Sequence, residues 1–142
     1  MQLDSAEAEV LAGDAAAFAK ALSDPAAQAR YERLASAAAS GAIPDELMPA
    51  LEAMLELLFE KGRPSNRAVL QAVFAKTRLG RQQSSAAREV NQALRTLRGH
   101  TLQDVRLSAG PSRHTLVVET DRCRVTLEFD KAGARVASLE AG

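Results

Sequence analysis

Hydrophobic periodicity changes once along this chain, at Gly99, and that change limits the fold more than any other feature. Before it, apolar residues recur at the three- and four-residue intervals of a helix face. After it they alternate. Val105 and Leu107 flank Arg106, Leu116 and Val118 fall in a β-branched run over 115–120, and Val125, Leu127 and Phe129 alternate with Arg124, Thr126 and Glu128. Alternation of this kind builds a half-buried strand, and the short Gly- and Asp-containing connections between the runs build hairpins. A last strand is expected near 135–140, with Val136 and Leu139. Helices first and strands last predict an α+β fold: four to five N-terminal helices followed by a three- to four-stranded antiparallel β-meander. The meander is expected to pack on helix 44–61 or on its neighbours.

At 142 residues the chain is read as a single domain, with an Ala-rich acidic helical segment over 1–41, a helical core over 42–99 and the β-meander over 100–142. Asp14 is placed to cap a short helix carrying Phe18 and Leu22. Ser23-Asp24-Pro25 is a stop-and-restart signal, a capping side chain followed by proline at the first helical position. The next helix runs through Tyr31 and Leu34 to about Ser40, where Gly41 ends it. Pro44 opens helix 44–61, which Gly62 and Pro64 close. Leu47, Met48, Leu51, Met54, Leu55, Leu57, Leu58 and Phe59 cover roughly 200° of its circumference, about twice the width of an ordinary core-facing stripe. The helix is therefore expected to be buried on more than one side, as a central element or in a subunit interface. Leu51, Met54, Leu55 and Leu58 are the interface candidates. Glu52, Glu56 and Glu60 line its remaining face, a spacing that costs a few tenths of a kcal/mol per pair unless cations lie opposite.

Two further helices are predicted. Ser65 caps the first, over 65–77, with Val69, Leu70, Val73 and Phe74 inward. Residues 78–83 read as a break. Ser84 or Ser85 caps the second, which reaches Arg98 and ends at Gly99, with Ala87, Val90, Leu94 and Leu97 inward and Arg88, Asn91, Gln92 and Arg95 outward.

Charge is segregated along this architecture. Residues 1–60 hold three cations against eleven acids, a balance of −8, whereas 61–113 hold eleven cations and only Glu89 and Asp104 as acids, a balance of +9. The remainder sums to −1, so the chain is neutral overall. Either the two segments meet inside the fold, with the glutamate stripe facing residues such as Arg63, Arg67 or Arg88, or one of them meets a partner. The order helix, helix, helix, strand, loop, strand over 44–120 resembles a winged helix-turn-helix. That resemblance implies that helix 84–98 enters a major groove, where Arg88, Asn91, Gln92 and Arg95 have the side chains that read base edges. Arg63, Arg67, Arg78, Arg81, Arg98 and Arg113 would then meet phosphates. The longer turn between the helices and the neutral whole chain weigh against it.

No catalytic constellation is legible. His100 and His114 have no metal-ligand spacing, and the chain has one cysteine, Cys123. Pairing His114 with Cys123 across a hairpin is the single nucleophile arrangement available, and an exposed turn cysteine is the plainer reading. Glu119, Asp121, Glu128 and Asp130 read as solubilising carboxylates, and Gly80 and Gly99 stand outside any phosphate-binding pattern. No enzyme activity, cofactor or metal is expected. The acidic start of the chain lacks a signal-peptide pattern, no apolar run is long enough to span a membrane, and a lone cysteine suits a reducing compartment, so a cytoplasmic location is expected. The leading functional expectation is a non-catalytic protein-interaction or regulatory module, self-associating as a homodimer. The alternative is a nucleic-acid binder using the basic segment 61–113.

Overall fold

A computed structural model describes residues 1–62 and 64–142; Arg63 lies outside the described residues. The fold is α+β, with five α-helices preceding a four-stranded antiparallel meander. The chain divides into two compact units, Met1–Gly80 and Arg81–Gly142.

The first unit is helical: α1 (Ser5–Ala21), α2 (Pro25–Ala39), a 3-10 turn (Asp45–Leu47) leading into α3 (Met48–Lys61), and α4 (Arg67–Lys76). Helix α1 starts well before Asp14, because Asp4 and Glu7 form a capping box. The Asp4 carboxylate accepts the Glu7 amide at 2.8 Å and the Glu7 carboxylate accepts the Asp4 amide at 2.9 Å. Asp14 is thus a mid-helix residue. Glu7 is buried, and Lys76 Nζ bonds its Oε2 at 2.6 Å, tying the start of α1 to the end of α4. The stop-and-restart signal works as expected: Asp24 caps α2, Pro25 is its first residue, and Gly41 follows it with φ +85°.

Helix α1 buries Leu11, Ala15 and Ala19 at intervals of one turn. Small alanines along this seam let α1 and α2 approach closely, and Phe18 meets Tyr31 edge-on at 4.6 Å. Helix α3 is the central element. Leu51, Met54 and Leu55 are fully closed to solvent within one cluster with Leu11, Leu34, Ile43, Leu70 and Val73. Most of its wide apolar arc is covered inside the unit, because α1, α2 and α4 supply side chains around it, while Leu57 stays 40% exposed. The α-helical part begins at Met48, four residues after Pro44, which precedes the 3-10 turn. Helix α4 begins at Arg67, with Asn66 in the capping position and no side-chain cap, so Ser65 does not cap it.

The largest departure from expectation is α5, which spans Arg78–Arg95 instead of starting at Ser84 or Ser85. A single residue, Thr77, joins it to α4. Thr77 is completely buried; its hydroxyl donates to the Phe74 carbonyl at 2.7 Å and accepts the Gly80 amide at 3.0 Å. Glu52 accepts the Leu79 amide at 3.1 Å. Two orphan amides of the first turn are thereby satisfied, one by a cap and one by a neighbouring helix. Gly80 looked like a breaker. It sits in the helix because a Cβ there would collide with the Phe74 carbonyl.

The second unit contains α5 from Arg81 onward, closed by Gly99 at φ +77°, and the strands β1 (Leu102–Ala109), β2 (His114–Thr120), β3 (Cys123–Asp130) and β4 (Gly133–Ala141) in the order β1-β2-β3-β4. Helix α5 is the covering helix. Its Val90, Ala93, Leu94 and Leu97 pack with Leu116, Val125, Leu127, Phe129, Ala134 and Val136. Ala87, expected inward, is exposed, and Ala93 takes its place.

Candidate functional site

Antiparallel register places directly opposed residues on one face. Leu107, Leu116, Leu127 and Val136 form one row, and Val105, Val118, Val125 and Leu139 another. Both rows lie on the face that α5 covers. Burial along them is uneven. Val125 and Leu127 are sealed and Val118 is 8% exposed, yet Val105 is 48%, Leu107 66% and Leu102 59% exposed. Leu102 pairs with Thr120 and shares that face.

Width accounts for the difference. Strands lie about 4.8 Å apart, so four of them span about 14 Å between outer axes, while a helix with its side chains is about 10 Å across. One helix cannot cover four strands. Helix α5 packs on side chains of β2, β3 and β4 and leaves the β1 margin open, together with Leu139 at the far end of β4, which is 50% exposed. A Val or Leu side chain gains about 1.5–3 kcal/mol when taken fully out of water. Three of them aligned on one strand therefore hold unused binding energy.

The opposite face of the sheet is ionic and internally matched. Arg106 bonds Asp104 at 3.1 Å and lies 3.6 Å from Glu119, which also pairs with Arg124. Glu128 bridges Arg113 at 3.1 Å and Arg135 at 2.6 Å, and Arg135 also bonds Asp130 at 2.6 Å. The Arg135 guanidinium, helped by the Ala132 amide, holds the Asp130 carboxyl below the usual carboxylate range. Arg113, counted among the phosphate contacts, is thus engaged within the sheet.

The remaining sequence-selected cations are dispersed. Arg67, the first residue of α4, stacks over the Phe59 ring at 5.3 Å, a cation–π contact. Arg78, Arg81, Arg88, Asn91, Gln92, Arg95 and Arg98 are all exposed, the first six on α5 and Arg98 in the turn after it. Arg81, Arg88 and Arg95 recur every seven residues and share the helix face opposite Val90 and Leu97. Among the described residues Arg88, Arg95 and Arg98 make no ion pair. The expected interface set fares differently. Leu51, Met54 and Leu55 have no exposed surface, and Leu58 is half-buried beside them. The first three are core residues of the first unit, and Leu58 borders them.

His114 and Cys123 lie at opposite ends of the β2–β3 ladder, since His114 is opposite Phe129 and Cys123 opposite Ala141. The histidine near Cys123 is His100, with Nδ1 3.7 Å from Sγ. Sequence reasoning missed this pair, which depends on the Gly99 turn folding back on the hairpin. The same Nδ1 lies 3.0 Å from the Thr120 hydroxyl, whose oxygen already accepts the Cys123 amide at 3.0 Å and the Arg122 amide at 3.2 Å. That hydroxyl also donates to the Cys123 carbonyl at 3.2 Å, so His100, Thr120 and Cys123 form one polar cluster. The cluster clamps the Asp121-Arg122 turn to the end of α5, reinforced by the Thr101 amide on Asp121 at 2.9 Å.

Among the described residues no three metal-ligating side chains converge, and no helix is long and apolar enough to cross a membrane. Comparison with protein-family models, curated proteins and solved structures finds no match.

Proposed function

We propose that this protein is a non-catalytic interaction module that engages another polypeptide through the β1 margin of its helix–sheet unit. One observation carries the reading. Val105 and Leu107 share cross-strand rows with the sealed Val125 and Leu127, and Leu102 lies opposite buried Thr120, yet all three remain about half or more in water. Contiguous apolar surface on the core-facing side of a sheet usually marks an interaction site. The opposite, ion-paired face offers no comparable gain, because its charges already have partners.

The test is site-specific photo-crosslinking in the cell of origin, with a benzophenone side chain at position 107 and, as control, at Thr126 on the ionic face. A discrete adduct at 107 and none at 126, identified by peptide mass spectrometry, supports the reading. No adduct at 107, or equal labelling at both positions, overturns it.

A second reading rests on a different observation. Arg88, Asn91, Gln92 and Arg95 form an exposed face of α5 whose arginines have no ion-pair partner among the described residues. Such a face suits nucleic acid. The one-residue link at Thr77 differs from the three- to four-residue turn of a helix-turn-helix, and the apolar face of α5 is spent on the sheet. Binding of mixed duplex at low salt, weakened in R88A/R95A and falling steeply with added salt, would favour it. No gel shift at micromolar protein would eliminate it.

A further inference from the structure

We infer that the free edge of β1 pairs with the β1 edge of a second copy of this chain, antiparallel about a two-fold axis at Val105. The inference rests on the interaction reading above and names the polypeptide it requires.

β1 is an outer strand, and its unpaired backbone groups are a template for another strand. The Gly110 amide donates to the Arg113 carbonyl at 2.8 Å where the β1–β2 hairpin closes. Counting back from that bond, antiparallel alternation turns the backbone of Asp104, Arg106 and Ser108 toward β2. The amides and carbonyls of Val105 and Leu107 then face the open edge. These are also residues whose side chains lie half or more in water. The other outer strand, β4, is less suited. Its ladder with β3 slips between Thr126 and Leu127, so a bulge interrupts it mid-strand, whereas the β1 irregularity lies near its start, between Leu102 and Asp104.

Charge selects the register. With Val105 opposite Val105, Asp104 of each copy faces Arg106 of the other, giving two opposite-charge cross-strand pairs. Shifting by one pairing step sets Arg106 against Arg106, which is repulsive. Centring on Leu107 instead places Arg106 against Ser108 and Asp104 against Gly110, so neither charge is matched. In the Val105 register the two Asp104–Arg106 pairs extend the ionic face of each sheet, where Arg106 already meets Asp104 and Glu119. On the other face Val105 meets its counterpart, and Leu107 lies against Leu102 and Gln103 of the second copy. The apolar margins of the two sheets become neighbours. The bulge limits the regular ladder to a few residues, so the dimer is weak and depends on concentration. A two-fold contact also closes on itself and gives dimers instead of filaments.

The test is sedimentation velocity from about 5 to 500 μM on the full chain and on three variants, with thermal melts as a fold check. The wild type is expected to move from monomer to dimer across this range. D104R and R106D each place two like charges across the axis, and each is expected to raise the dissociation constant at least tenfold. The double variant D104R/R106D restores opposite charges and is expected to dimerise as the wild type does. An equimolar mixture of D104R and R106D is expected to form a heterodimer, since each then supplies the charge the other lacks. Should R106D melt early through loss of its contacts to Asp104 and Glu119, D104R against the wild type carries the comparison. A wild type that stays monomeric at 500 μM overturns the inference. So does self-association that D104R leaves untouched, or that neither the double variant nor the mixture recovers while R106D and the double variant melt as the wild type does. In these cases an adduct at position 107 with a different protein would leave the broader interaction reading standing, and the absence of any adduct would remove both.

Discussion

Thr77 does more for this fold than its position in a connecting segment suggests. Its buried hydroxyl ends α4 and starts α5, so T77A leaves the Gly80 amide without its cap, while the Phe74 carbonyl keeps the amide of residue 77 at 2.9 Å. The expected cost is about 1–2 kcal/mol in urea unfolding, with T77S recovering part of it. Gly80 is constrained by space, and G80A is expected to cost about 2 kcal/mol or more, as overpacking against backbone does. Two carboxyls respond to acid with opposite sign. Asp130 is held below its ordinary range by Arg135, so its stabilising share is present above the usual carboxylate range and is lost as pH falls through the lowered value. Burial raises Asp14, so its ionised form weakens the fold above that raised value, and protonation relieves the strain on acidification. Urea midpoints measured from pH 7 to pH 2 check both. D130N should flatten the acid loss, whereas D14N should be more stable than wild type at pH 7 and converge with it in acid.

At the scale of elements, legibility followed how local the cause was. The strands and the α2 boundaries come from alternation and from Asp24-Pro25, which act within a few residues, and both stand as read. The start of α5 depends on Glu52, which lies 27 residues from Leu79, and on a backbone approach that only glycine permits, so residues 78–83 looked like a break. The start of α1 was legible in the Asp4-to-Glu7 spacing and was masked by the alanine run that follows. The breadth of the α3 apolar arc was correctly read as burial on more than one side, but periodicity carries no information on whether the cover comes from the same chain. The open margin of the sheet is the converse. Val105 and Val125 have equivalent alternation, and only the position of α5 separates an exposed residue from a sealed one. L107S is therefore expected to change stability by no more than about 0.5 kcal/mol, against about 2–5 kcal/mol for L127A, both read from chemical denaturation.

At the scale of the whole molecule, charge segregation resolves into several separate arrangements. The acids of the first unit include a buried capping glutamate and Glu52 on the α5 amide, and the arginines of the sheet are matched across its ionic face. Among the described residues Arg88, Arg95 and Arg98 make no ion pair, and the β1 margin keeps Leu102, Val105 and Leu107 in water. The central claim is that the β1 margin is a pairing surface. Residue-resolved amide exchange on the full chain, at about 5 and 500 μM, tests it most directly. The account expects the Val105 and Leu107 amides, which face the open edge, to exchange quickly in dilute solution and to gain protection at high concentration. Arg106 and Ser108, bonded toward β2, should be protected at both. Equal exchange of Val105 and Leu107 at the two concentrations would contradict the account.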